Sequence, residues 1–342
     1  MVYIGVSARI LINLEALNMA ESIGNVVRHK RAPIVVRVLE EGSIRYVLKY
    51  APVISGQSIA HGYQELLALI AEKKGLPVCP LCRQGVFVKH ASDEIIKEIA
   101  SKHGAPYAQK LLDALKNKGV EGIHLFEKTL IENCTVEDVG GFLYAGGTPV
   151  KRTSRFQSGY MIPAIDAHDA AASEALFHVR HDPTAEAGRQ SIYYVETGSA
   201  LYTVSMALDV DGVGKTSTIK VEELPDRKKR VEAAIETLAM LVANMGWGAK
   251  KTRFLPHWDI ESLVVTVSHP LPFNPKPGHS PDYIAETVKT AKPYQEALKK
   301  IDENSYVKVY YYAKPGTLPE KPSEAVEKPT PLEAVLAALQ HV

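Results

Sequence analysis

Ile4-Gly5-Val6-Ser7-Ala8-Arg9-Ile10-Leu11-Ile12-Asn13-Leu14 alternates with a period of two. Ile4, Val6, Ala8, Ile10, Ile12 and Leu14 hold the even positions, while Ser7, Arg9, Asn13 and Glu15 are among the odd ones. That spacing predicts a strand with one buried face. A hairpin is predicted further on. Ile34, Val36 and Val38 alternate with Val35 and Arg37, and after the Glu40-Glu41-Gly42-Ser43 turn Ile44, Tyr46 and Leu48 alternate with Arg45, Val47 and Lys49. Three strands then bury one face and present Arg9, Asn13, Arg37, Arg45 and Lys49 on the other. A sheet that meets phosphates has this pattern, and so does a solvated antiparallel sheet that is merely basic.

Between these strands, residues 18–31 show no clean period and end in the basic run Arg28-His29-Lys30-Arg31, which predicts a long loop. Ile54-Ser55-Gly56-Gln57-Ser58 leads into an amphipathic helix through Lys74, with Ile59, Tyr63, Leu66, Leu67 and Ile70 at helical spacing. Free N–H groups and the dipole at such a start favour an anion, with Ser55 or Ser58 capping the helix or contacting a phosphate.

Residues 75–135 change character. Short helical patterns, Asp93 to Ser101 and Pro106 to Asn117, alternate with glycine breaks and read as a mainly helical insertion. Strand-like composition returns from Gly147 to Pro163, Ala175 to Arg180, Ser191 to Thr197 and Ala200 to Val210, and again from Leu263 to Val267. A helix is predicted over Asp226 to Met245; the cations of its first turn, Arg227 to Arg230, read as a solvated face. Five prolines between His269 and Pro281 exclude regular structure. Pro, Glu and Lys dominate from Lys314 to Pro331, ahead of a short apolar run, Leu332 to Leu339, expected to dock on this subunit or a neighbour. The organisation expected is a discontinuous core, 1–74 with 136–312, an insertion at 75–135, and a tail at 313–342 with a short terminal helix.

Composition limits the function. With 342 residues and 46% hydrophobic content the chain can bury a full core, and a net charge of +1 requires any nucleic-acid site to be a local concentration of Lys and Arg. No membrane span or cleavable signal is apparent, so a cytoplasmic protein without a membrane partner is expected. Asp211-Gly212-Val213-Gly214-Lys215-Thr216 resembles a P-loop but lacks its first glycine; it reads as a glycine turn with Lys215 available to a phosphate. Cys79-Pro80-Leu81-Cys82 is half of a zinc site, whose other half would have to come from Cys134, His90 or His103; reduced or bridged cysteines stabilising the insertion are the reading favoured, with no metal and no cofactor. None of the twelve histidines falls in a motif for nucleophilic chemistry. His168 with Asp169, and His178 with Arg180, are the combinations a metal-independent ribonuclease could use. The expectation is no enzyme and no catalytic residue.

In order along the chain, Ser7-Ala8-Arg9 to Asn13-Leu14-Glu15-Ala16-Leu17-Asn18, Glu21-Ser22-Ile23-Gly24-Asn25, Arg28-His29, Ala32-Pro33, Ala51 to Gly56, His61, Gly140 to Gly147, Arg152-Thr153-Ser154-Arg155, Phe177-His178-Val179-Arg180 and Arg253-Phe254-Leu255-Pro256 resemble the DevR-type RAMP proteins, the backbone subunits of archaeal type I-A CRISPR Cascade complexes. The resemblance implies an α+β fold: an RRM-like (ferredoxin-like) antiparallel sheet core with inserted helical and loop lobes. It implies a non-catalytic subunit that polymerises along a CRISPR RNA as a helical filament and leaves the bases free to pair with target DNA. The companion RAMP subunit, a small subunit and a helicase–nuclease are the further partners implied.

RNA-contacting residues are expected in five groups. Arg9, Asn13, Arg45 and Lys49 belong to the sheet floor. Asn18, Asn25, Arg28, His29, Lys30 and Arg31 form the loop that clamps phosphates, and Ser55, Gly56, Ser58 and His61 the helix N-terminal anion site. Arg152 and Arg155 sit on a protruding arm, while His178, Arg180, Lys250, Lys251 and Arg253 lie on a strand and a glycine-rich loop. Aromatics are expected to be sparse on the sheet face, which favours backbone binding over base stacking. An RNA-processing ribonuclease and a self-assembling structural protein are the alternatives.

Overall fold

The computed structural model describes the chain apart from Met1, Glu41, Lys118, residues 182–189 and Met245; the side chains of residues 181, 190 and 191 also lie outside the description. Five strands come first: β1 (Tyr3–Glu15), a short hairpin β2 (Met19–Ile23) and β3 (Val26–His29), and a long hairpin β4 (Arg31–Glu40) and β5 (Ser43–Pro52). Helix α1 (Gly56–Lys73) leads to α2 (Pro80–Arg83), α3 (Asp93–His103), α4 (Pro106–Lys116), α5 (Val120–Asn133) and α6 (Thr135–Gly140). Short strands β6 (Phe142–Tyr144), β7 (Val150–Arg152), β8 (Phe156–Ser158) and β9 (Ile162–Pro163) precede β10 (Ala172–His181) and the long β11 (Gln190–Asp209). The chain ends with α7 (Arg227–Ala243), β12 (His257–His269), α8 (Tyr283–Lys299), β13 (Tyr306–Ala313), β14 (Val326–Glu327) and α9 (Pro331–Leu336). Among the described residues no helix is long and apolar enough to cross a membrane.

This is a mixed α+β protein with a large mixed sheet. The order runs β14-β13-β12-β1-β11-β3-β2, with β8, β9 and β10 also pairing to β11. The ladders that join β13, β12, β1 and β11 are antiparallel, whereas β3 joins β11, and β14 joins β13, in parallel. The expectation of an antiparallel sheet is corrected to that extent. The two strand patterns at 191–197 and 200–210 belong to one strand, because Gly198 and Ser199 stay extended and pair with Glu15, Ser173 and Ala172.

The even residues of β1 from Ile4 to Ile12 are buried, in one core with the apolar faces of α1, α7 and α9. Each fully buried Ile or Leu contributes roughly 1.5–3 kcal/mol. The odd face is covered too from Tyr3 to Arg9, which corrects the expected open floor. The proline-rich segment after β12 crosses it so closely that a Cβ on Gly5 would lie 2.6 Å from Pro275 Cδ, and α8 packs beside that segment over Val264, Val307, Val309 and Tyr311. Thr266 and Thr203 bind the segment's backbone at Phe273 and Gly278. Tyr3, Ser7 and Arg9 are consequently buried.

Two further differences change which side chains face outward. At Leu14 (φ 55°) the register of β1 shifts, so Leu14 is exposed and Glu15 is buried instead. In the β4–β5 hairpin Ile34 faces Lys49, and Val36 faces Val47. Ile34 and Val36 pack inward with Val47, Ile162 and Ile165, leaving Val35, Leu39, Ile44, Tyr46, Leu48 and Tyr50 exposed. The sequence expectation had Ile44, Tyr46 and Leu48 inside; the pairing register puts Val47 there.

The predicted loop at 18–31 is the β2–β3 hairpin, turned at Gly24 with φ 59°. Its period is hidden because β2 is almost wholly exposed. Helix α1 forms where expected: Ile59, Tyr63, Leu67 and Ala71 line its buried stripe, Ser55 caps its start, and Gly75 leaves it at φ 71°. Helix α7 starts as expected, while the expected terminal Met245 lies outside the described residues. Its first turn is not simply solvated, since Arg230 is buried between Asp226 and Asp138. The terminal run docks on its own chain: Ala334, Val335 and Ala338 join the main core.

Candidate nucleic-acid interface

Several expected phosphate contacts are committed to the interior. Arg9 lies 2.9 Å from Asp166 and 3.7 Å from Glu261, and donates to the Gly278 carbonyl. Arg152, placed by expectation on an arm, is fully buried: it meets Glu127 at 2.8 Å and Asp138 at 2.5 Å, and donates to the carbonyls of Asp138, Gly212 and Lys215. Arg155 is paired with Asp209 at 3.0 Å. Lys215 pairs with Asp211 and Glu223, and the Gly214 amide of the P-loop-like turn is bound by Asp138, so this turn serves a carboxylate inside the protein.

His29 is buried as well, 2.7 Å from Glu15 with neither side chain exposed. Tyr202 and the Leu17 amide donate to the same Glu15 carboxylate. Burial alone would depress the imidazole, but Glu15 and the Lys30 carbonyl outweigh it, and the net shift is upward. A raised folded-state value gives stability that is complete below the unfolded pKa of about 6.5 and is lost as pH rises through the folded value. His29→Gln should remove this part of the profile. Urea denaturation between about pH 5 and pH 9 should show wild type gaining on the variant as pH falls; parallel profiles would refute the pairing.

At the start of α1, Ser55 is buried and accepts from the Ser58 amide, while its own amide donates to Asn18 Oδ1 at 2.7 Å. Gly56 is required by packing, because a Cβ there would lie 2.4 Å from the Ser158 carbonyl oxygen. Ser55, Asn18 and Gly56 therefore shape the helix start. Beside it runs a 740 Å³ groove lined by Gln57, His61, Phe87, Lys89, Ser154, Ser158 and Tyr160. The first turn of α1 carries no acidic residue, and Lys30 reaches over the Tyr160 ring at 5.8 Å. His61 is 3.3 Å from Glu65 and meets the Phe87 ring edge-on. The sequence indicated His61 here but not Lys89 or Tyr160, which come from irregular segments without periodicity; Ser58 does not line the groove, and its hydroxyl faces the Leu17 carbonyl.

A second cluster lies where β10 meets β11. His178 stacks on Tyr193 with ring centroids 5.2 Å apart, Arg253 donates to the Tyr193 hydroxyl at 2.6 Å, and the Phe254 ring meets His178 edge-on. Tyr193 was not anticipated. Arg180, Lys250 and Arg253 are exposed and Lys251 is half-buried, donating to the Gly246 carbonyl. Asn13 and Asn25 are exposed, and Asn25 donates to the Ile192 carbonyl. Arg28 faces Glu21 and Glu196, Arg31 donates to the Tyr50 carbonyl, Arg45 pairs with Glu40 and Lys49 with Asp169. Exposed aromatics are also less sparse than expected, since Tyr46, Tyr50, Tyr160 and Phe177 all reach solvent.

Fold and surface together define an α+β protein whose sheet is a closed scaffold and whose open polar and aromatic groups sit on hairpins, a helix start and loops at its margin. The chain belongs to the DevR/Csa2 family: the family model described as CRISPR-associated negative auto-regulator DevR/Csa2 matches residues 6–288. It is 43% identical over 289 residues to the Saccharolobus solfataricus protein named CRISPR-associated aCascade subunit Cas7/Csa2 2, covering 82% of this chain and 84% of the relative. A second protein of that organism, CRISPR-associated protein Cas7/Csa2 1, is 38% identical over 304 residues, covering 86% and 89%. The fold resembles a chain of a solved CRISPR RNA-guided surveillance complex, pre-nicking, at a TM-score of 0.56 and 10% identity over 99% of both chains.

Proposed function

We propose that the chain is the repeating Cas7-type backbone subunit of an archaeal CRISPR RNA-guided surveillance complex, and that it holds the guide RNA by its sugar–phosphate backbone without cutting it. The observation that carries the mode of binding is the groove beside the N-terminus of α1. There an acid-free helix start and Lys89 line one channel, and Lys30 sits over the ring of Tyr160 in its wall. Helix-start amides and lysines bind phosphate without reading base identity. The core, 1–74 with 136–312, is read as an elaborated RRM-like sheet, 75–135 as a lobe inserted into it, and 313–342 as a tail closing back upon it. The complex is a cytoplasmic one, with other copies of this chain and further Cas subunits as partners and target DNA reached through the guide.

The ribonuclease alternative finds little support at His178, whose ring stacks on Tyr193 and meets Phe254 edge-on, with no carboxylate among these contacts.

The test is equilibrium binding of an unstructured single-stranded RNA and of duplex DNA over a salt series, with RNA integrity checked on a gel. Tight, sequence-tolerant, salt-sensitive binding of uncut RNA is expected. Lys30→Ala and Lys89→Ala should each weaken binding equally across sequences and reduce the slope of log K against log salt by about 0.7, the value for one phosphate contact on a single strand. Cleaved RNA would favour the processing enzyme, and unchanged slopes in both variants would remove the groove from the site.

A further inference from the structure

We infer that Cys79, Cys82, Cys134 and Glu137 form a structural zinc site that fastens the two ends of the 75–135 lobe together. One donor atom from each of the four residues lies within 4.8 Å of all the others, and all four side chains are buried. A tetrahedron with Zn–S bonds of about 2.3 Å needs sulfurs about 3.8 Å apart, so closing the set takes side-chain movements of about 1 Å or less.

The local architecture suits a metal better than three thiols and an acid by themselves. Cys79-Pro80-Leu81-Cys82 and Cys134-Thr135-Val136-Glu137 are two pairs with the same two-residue spacing, each wrapped around the start of a helical turn. The amide of Cys82 points at Cys79 Sγ at 3.5 Å. Amide donors aimed at sulfur favour thiolate, the form that binds metal. The Thr135 amide bonds the Pro77 carbonyl at 2.8 Å, holding the two turns side by side.

Glu137 supplies the second, independent observation. Its Oε1 accepts from His90 Nδ1 at 2.5 Å, and His90 Nε2 meets the Tyr107 hydroxyl at 3.0 Å. Its Oε2 is buried and has no hydrogen-bond partner. Leaving a buried carboxylate oxygen unsatisfied is costly unless a cation takes it. Cys79 Sγ lies 3.8 Å from Oε1, so the carboxylate stands against the sulfur cluster while His90 orients it, the support that ligating carboxylates usually have. Three thiolates and a carboxylate carry four negative charges against two on Zn²⁺. The Cys82 amide at Cys79 Sγ and the His90 N–H at Glu137 Oε1 take up part of that charge. Three soft sulfurs with one oxygen and no open face select zinc in a closed, non-catalytic site.

The decisive experiment is metal analysis of the intact chain, purified without chelator and then dialysed against EDTA, combined with thiol alkylation and intact-mass measurement. About one zinc per chain is expected to survive dialysis, with all three thiols protected until a mercurial releases the metal. Replacing the zinc with Co²⁺ should give the thiolate charge-transfer and tetrahedral d–d bands. Because Cys134→Ser could simply misfold, Glu137→Cys serves as the companion variant and should retain zinc. A metal-free chain with three alkylatable thiols would overturn the site, as would a mass two hydrogens lighter from a Cys79–Cys82 disulfide.

Discussion

Replacing Arg152 with alanine should cost the protein about 3–5 kcal/mol of stability, the loss typical of removing one partner from a buried ion pair. The guanidinium is enclosed by the Glu127 and Asp138 carboxylates and three carbonyls. Asp138 is shared with Arg230 and with the Gly214 amide. Burial would push the Glu127 carboxyl up, but Ser217, Thr218 and Arg152 hold it below its ordinary value, so it stays charged. Without Arg152 both carboxylates would remain buried around a void. Thermal denaturation should show a melting point lower by roughly 10 °C, and Arg152→Lys should restore only part of it, because an ammonium does not span the fork that a guanidinium fills. The folded fraction should bind RNA with an unchanged salt slope. A reduced slope with the melting point intact would return Arg152 to the phosphate contacts.

Assembly should fail when the outer face of the β4–β5 hairpin is made polar. Val35, Leu39, Ile44, Tyr46, Leu48 and Tyr50 form a contiguous exposed apolar face, and such faces mark association surfaces. A Tyr46→Glu, Leu48→Lys double variant removes an aromatic anchor and its neighbour from a surface that supports no core of its own chain. If a neighbouring copy or the RNA covers this face, RNA-driven association should weaken by roughly 30-fold or more, the equivalent of one residue worth 2 kcal/mol. The isolated subunit should keep its stability to within about 0.5 kcal/mol. Sedimentation with and without long single-stranded RNA measures both. Wild-type assemblies from the double variant would assign the hairpin another role.

The elements legible in the sequence are those whose apolar periodicity marks the face turned to the main core. The alternation along β1, the stripe Ile59, Tyr63, Leu67 of α1 and the long run of α7 are of this kind. The β5 register was not legible, because both parities of Ile44 to Lys49 contain apolar residues and the more apolar parity faces outward. Helix α8 was missed where Pro293 interrupts its pattern, and β13 with it. The candidate site was readable only as a set of cations. Pairing of Arg9 with Asp166, or of Arg152 with Glu127, depends on residues far apart in the chain, and nothing local in the sequence distinguishes an arginine so engaged from one facing solvent. The cysteine cluster was visible as Cys79 and Cys82, with Cys134 among the candidates for its other half, whereas Glu137 is brought to it only by the fold.

The length of β11 bears on the shape of anything built from this subunit. Its first half carries Tyr193 and pairs with β10 and β3; its second half pairs with β1, β8 and β9 in the middle of the scaffold. No loop residue intervenes that could absorb a change of backbone angle, which is what a hinge requires. Each copy is therefore a stiff tile, with its peripheral aromatic cluster and its central layers cast in one piece. In a row of such tiles, curvature and pitch arise at the joints between copies.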